Sequence, residues 1–98
     1  MNRILIVDDD RRFAGRLAGA LEGIFRVEKC HSEAEFRQHF AVGRFDLVII
    51  DMRLEKDREG LDLLKEVLAQ DSAQAAIVMT AYADVESYTD ALASGALT

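Results

Sequence analysis

Proline is absent from this 98-residue chain, cysteine occurs once, and no apolar run is long enough to span a membrane. The single Cys30 excludes an internal disulfide and fits a reducing compartment. Basic charge is also scarce: 12 Lys and Arg stand against 18 Asp and Glu, giving a formal net charge of −6. Phosphate contacts need clustered Lys and Arg, so nucleic acid is not expected as a direct partner. Met1-Asn2-Arg3 passes straight into a strand-like run with no visible signal peptide, and a cytoplasmic location is expected. There are no repeats, low-complexity tracts or linkers, and half of the residues are hydrophobic. Residues 1–98 therefore suit one domain with one core.

The stretch that organises the rest is Asp46-Leu47-Val48-Ile49-Ile50-Asp51, an apolar, β-branched run with a carboxylate at each end. Without polar alternation it reads as a strand buried on both faces, central in a parallel sheet. Ile4-Leu5-Ile6-Val7 is a second such run and ends in Asp8-Asp9-Asp10. Asp10 suits the N-cap of a helix carrying Phe13, Leu17, Leu21 and Ile24 at helical spacing, with its end at Gly23. Phe25 to Cys30 reads as a strand near an edge. Ser32 and Glu35 have capping-box spacing before a short helix that carries Phe36 and Phe40, and Val42-Gly43-Arg44 is the turn into the central strand.

Beyond Asp51, a polar loop from Met52 to Glu59 is closed by Gly60, and Leu61, Leu64, Val67 and Leu68 mark a third helix. Ala75 to Met79 is a fourth buried strand with Thr80 at its carboxyl end. Asp84 caps a fourth helix through Val85, Tyr88, Ala91 and Leu92, stopped at Gly95. Regular β-α alternation implies an α/β fold with a doubly wound parallel sheet, right-handed crossovers and helices on both faces.

Ligands of open α/β sheets sit outside the carboxyl ends of the strands. There the order places Asp8-Asp9, Asp51 and Thr80. Carboxylates crowded on one edge repel unless a cation intervenes, and Mg²⁺ suits oxygen ligands best. Beside such a metal a free Asp can attack phosphorus and become an aspartyl phosphate, while the Thr80 hydroxyl can donate to a phosphoryl oxygen.

On Ile4–Asp10, Asp46–Asp51, Met79-Thr80-Ala81 and Ala91–Ala96, taken together, the chain resembles the receiver domain of bacterial two-component response regulators. The resemblance implies the flavodoxin-like (CheY-like) three-layer fold with strand order 2-1-3-4-5. It implies Asp51 as phosphoacceptor from a sensor histidine kinase or phosphotransfer protein, in a phosphorelay that controls an output. Asp9, Asp51 and the backbone carbonyl of Arg53 would bind Mg²⁺ with help from Asp8, and Thr80 would be the switch hydroxyl. The family's proline four residues past the acceptor is Glu55 here, and its glycine comes one residue late, at Gly60. The family's fifth strand, with its lysine, and fifth helix would follow Gly95-Ala96, so the chain reads as a receiver truncated before them.

Truncation would leave the fourth strand at a sheet edge, a template for pairing. A homodimer or larger assembly through Ala76-Ile77-Val78 is therefore expected. Two other classes compete with the signalling module: a receiver-like interaction domain that no longer switches, and a Mg²⁺-dependent phosphatase or nuclease. The second lacks a candidate general acid or base, so the chain is read as a non-enzyme. His31 and His39, with no Cys or carboxylate at metal spacing, are read as surface residues. Tyr82 and Tyr88 are read as packing or surface residues, and Arg53, Lys56 and Arg58 as a solvated loop.

Overall fold

Residues 4 to 7 of the first apolar run are all buried, as a strand covered on both faces requires. The computed structural model describes residues 2–51 and 59–79. Along them run β1 (Arg3–Val7), α1 (Arg11–Leu21), β2 (Arg26–Cys30), α2 (Glu33–His39), β3 (Leu47–Asp51), α3 (Glu59–Gln70) and β4 (Ala76–Met79). The strands form one parallel sheet in the order β2-β1-β3-β4, the expected order as far as β4. The expected helix from Asp84 to Gly95 lies outside the described residues, as do Tyr82, Tyr88, Lys56 and Arg58.

Side-chain alternation divides the sheet between two cores. Leu5, Val7, Val48 and Ile50 meet Phe36 of α2 and Leu61, Leu64 and Val67 of α3. Ile4, Ile6 and Ile49 face the other way, onto Ala14 and Ala18 of α1. Burying each Leu, Ile, Val or Phe side chain contributes roughly 1.5–3 kcal/mol, so these interleaved runs are the main source of cohesion. Among the described residues α1 alone covers the second face, beside an apolar groove of about 470 Å³ between Leu17, Leu21 and Ile77.

Several boundaries differ from the sequence reading. The inward stripe of α1 is Ala14, Leu17, Ala18 and Leu21: Leu17 and Leu21 face the core as expected, while Ala14 and Ala18 take the places expected for Phe13 and Ile24. Phe13 is 39% exposed at its flank, and Ile24 is 70% exposed beyond the helix end. Small alanines let the helix lie close to a β-branched sheet, so the larger apolar side chains are displaced to the margin. β2 starts at Arg26 rather than Phe25, and β4 starts at Ala76. Gly60 lies in the first turn of α3 instead of closing the loop before it.

Local signals account for the helix starts. Asp10 accepts the Phe13 N–H at 3.0 Å, and Ser32 Oγ accepts the Glu35 N–H at 3.1 Å. Gly43 adopts φ +79°, a left-handed conformation that favours glycine, in the turn before β3.

The amino-terminal edge of the sheet is tied by polar contacts. Asp46 lies just outside β3; its carboxylate accepts the Arg3 N–H at 2.7 Å, and its own N–H donates to the Arg3 carbonyl at 2.8 Å. Buried Gln74 donates from Nε2 to the carbonyls of Phe45 and Ala75, both at 3.1 Å.

Candidate functional site

At the opposite, carboxyl edge, register builds a cluster of acids. Val7 of β1 pairs with Ile50 of β3, so the residues that follow, Asp8 and Asp51, arrive at one height. Asp8, Asp9 and Asp51 each bring a carboxylate oxygen within 4.8 Å of the others. Asp8 is buried, Asp51 half-buried and Asp9 exposed, so the cluster opens to solvent on the Asp9 side. Arg53 and Thr80, the other site residues read from the sequence, lie outside the described residues.

Asp8 is the most constrained of the three. Its backbone N–H donates to the Cys30 carbonyl at 3.0 Å, and its side chain accepts the Asp10 N–H at 2.9 Å. Its own carbonyl oxygen accepts from His31 Nδ1 at 3.0 Å. Burial pushes the Asp8 carboxyl above the ordinary value of 3.8. Hydrogen bonds from the Asp10 N–H and with Asp51 pull it back, and the charges of Asp9 and Asp10 push it up again. Crowded, partly desolvated carboxylates of this kind favour a bound cation.

The donor set fits Mg²⁺. All three groups are hard carboxylate oxygens, and the open side leaves room for the waters this ion retains. The nearby softer donors are otherwise engaged: Cys30 is buried with its thiol pushed up to about 12, and His31 directs Nδ1 at a carbonyl. Mg²⁺ would be held by the Asp8, Asp9 and Asp51 carboxylates.

His31 was read from the sequence as a surface residue, yet its ring contacts the backbone of this site. A usable signal existed. Cys30 pairs with Val7 in the β1–β2 ladder, so the next residue of each strand, His31 and Asp8, must be neighbours. His39, also assigned to the surface, is half-buried and binds Glu28 of β2 through Nδ1 at 3.1 Å. Burial pushes the Glu28 carboxyl up, but His39 and Arg44 more than offset this and hold it below the usual carboxylate range. That cluster ties α2 and the following turn to β2, away from the acids.

Comparison with known proteins identifies a family. The family described as the response regulator receiver domain matches residues 4–98. The transcriptional regulatory protein ZraR of Escherichia coli K12 is 36% identical over 95 residues, covering 96% of this chain and 21% of that protein. The acid tolerance regulatory protein ActR of Rhizobium meliloti is also 36% identical over 95 residues, covering 96% of this chain and 48% of that one. The chain thus spans from about a fifth to about half of these relatives.

Among solved structures, the non-phosphorylated HemR receiver domain from Leptospira biflexa superposes with a TM-score of 0.93 at 28% identity, covering 99% of this chain and 78% of that one. A response regulator from Burkholderia pseudomallei, with a phosphorylated aspartic acid, calcium ion and citrate, gives 0.87 at 28% identity, covering 98% and 56%. The parallel sheet, its strand order, the acidic edge and these matches lead to one assignment: the chain belongs to the response regulator receiver domain family.

Proposed function

We propose that residues 1–98 form the phosphoaccepting receiver module of a two-component phosphorelay, with Asp51 as acceptor. The observation that carries this reading is the convergence of the Asp8, Asp9 and Asp51 carboxylates within 4.8 Å at the carboxyl ends of β1 and β3. An Asp51 oxygen forms the new bond to phosphorus, and the donor's bond to phosphorus breaks. With a sensor histidine kinase or phosphotransfer protein that broken bond is P–N of phosphohistidine; with acetyl phosphate it is P–O. Mg²⁺, held by Asp8, Asp9, Asp51 and the Arg53 carbonyl, would neutralise charge on the phosphoryl oxygens. Thr80 is the proposed switch hydroxyl that reads the modified site and passes the signal to an output.

This reading describes a signalling module and not an enzyme with its own turnover, and it places the module in the cytoplasm. No helix among the described residues is long and apolar enough to cross a membrane. Self-association through Ala76-Ile77-Val78 of β4, as a homodimer or larger assembly, forms part of the proposal. β4 is the last strand of the described sheet, and Ile77 borders the apolar groove beside α1. Sedimentation as a folded monomer at tens of micromolar would remove that part.

The test of the main reading is labelling. With acetyl phosphate and MgCl₂, the protein should gain one phosphoryl group on Asp51, and Asp51→Asn should gain none. Label recovered on another residue would overturn the assignment.

A further inference from the structure

We propose that His31 is a positioning residue for the metal site, acting through the backbone of Asp8. This rests on the reading of Asp8, Asp9 and Asp51 as the ligands of Mg²⁺.

The peptide groups flanking Asp8 are held from one side by two consecutive residues of a neighbouring segment. The Asp8 N–H donates to the carbonyl of Cys30, the last residue of β2, at 3.0 Å. The Asp8 carbonyl is met at 3.0 Å by Nδ1 of His31, the next residue. A carbonyl oxygen only accepts, so Nδ1 carries the hydrogen, and this contact selects the tautomer. The ladder between β1 and β2 ends at Val7 and Cys30, so the side chain of His31 continues it one step further than backbone alone does.

His31 is itself anchored. Its backbone N–H donates to Glu35 Oε2 at 2.9 Å, and the Glu35 N–H donates to Ser32 Oγ at 3.1 Å. In the usual capping box the glutamate returns to the N–H of the cap residue. Here it reaches one residue further back, to His31. The first turn of α2 therefore fixes the backbone of His31, and the His31 ring fixes the peptide between Asp8 and Asp9. These are the two acids that β1 contributes to the cluster. Groups that orient metal ligands from outside the coordination shell raise affinity by holding the ligands in their bound geometry.

Substitution separates this role from bulk or general stability. His31→Asn keeps an N–H donor at the position of Nδ1, His31→Gln moves the donor to the position of Nε2, and His31→Leu removes it. MgCl₂ is titrated into each protein by calorimetry, and labelling of Asp51 by acetyl phosphate is followed alongside. The expected result is near-normal Mg²⁺ affinity for His31→Asn and a loss of roughly two- to tenfold for His31→Gln and His31→Leu, the size of one hydrogen bond. If His31→Leu fails to fold, the Asn and Gln pair still decides. Normal affinity in His31→Gln, or an Asn variant as weak as Gln, would overturn the proposal. Mg²⁺ binding without labelling of the unsubstituted protein would refute the phosphoacceptor reading and leave the His31 comparison to be judged on affinity alone. Absence of Mg²⁺ binding in the unsubstituted protein would overturn both.

Discussion

Replacing Asp8 by Asn should make the metal-free protein more stable while destroying its affinity for Mg²⁺. The buried Asp8 carboxyl lies no more than 4.8 Å from its neighbours Asp9 and Asp51. Two unit charges at that separation repel by about 1 kcal/mol in bulk water and about 3.5 kcal/mol at an effective dielectric of 20. Exposed Asp9 belongs near the first figure; half-buried Asp51 approaches the second only when both it and Asp8 are ionised, because with one proton between them the pair shares a hydrogen bond. Asparagine keeps an oxygen to accept the Asp10 N–H and offers an amide N–H to Asp51. The expected gain is roughly 1–3 kcal/mol, or about 5–15 °C in Tm for a domain of this size.

The pH dependence has a definite sign. Asp8 holds its proton more tightly in the folded chain than in the unfolded one, with burial as the leading cause. Between the ordinary value of 3.8 and the raised folded value the native state binds more protons, so stability falls as pH rises through that window. Thermal unfolding followed by circular dichroism with a chelator at pH 7.5 should show Asp8→Asn above the unsubstituted protein. At pH 3, where Asp8 is largely protonated in both states, the difference should shrink. Added Mg²⁺ should raise only the unsubstituted protein, by about 1.4 kcal/mol when the ion is at ten times its Kd. An Asp8→Asn protein no more stable than its parent without metal at pH 7.5 would refute the reasoning.

Other perturbations test the scaffold. Phe36→Ala removes a fully buried ring that stacks on Phe40 at 5.3 Å, and should lower stability by about 3–5 kcal/mol in urea unfolding. Gln74→Leu leaves the Phe45 and Ala75 carbonyls without the amide that bridges them, and should lower stability by about 1–3 kcal/mol in the same assay. Cys30 is buried, with its thiol pushed up to about 12, so iodoacetamide should modify it at pH 8 only after denaturant unfolds the chain.

Much of the scaffold was legible because the relevant physics is local. Uninterrupted β-branched runs marked β1 and β3, while Asp10 and Ser32 marked helix starts through contacts three residues long. The acids at positions 8, 9 and 51 followed from strand order, since parallel strands must end together. The features misjudged or left unread depend on neighbours far along the chain. Ala14 and Ala18 face the sheet because it comes close, a fact about β1 and β3 rather than about α1. His31 lies 23 residues from Asp8, and Gln74 lies 29 from Phe45. Nothing next to Gln74 in sequence announces its partner, and for His31 the one signal is the strand end at Cys30 beside Val7.

The polar ties at the amino-terminal edge bear on the acids at the other end, because a parallel ladder is a ruler and its zero must be set somewhere. A slip of β3 against β1 by one residue would turn Val48 and Ile50 into the wrong core, and hydrophobic facing forbids it. A slip of two residues keeps every side chain on its proper face and is invisible to that rule. It would nevertheless carry Asp51 about 6.6 Å along the strand, further than the 4.8 Å that now gathers the carboxylates. The paired hydrogen bonds between Arg3 and Asp46 discriminate against this slip, since they form in one register only. Gln74 does the same for the approach of β4 to β3. Residues outside the acidic cluster thus determine, from the far end of the strands, whether three acids meet at all.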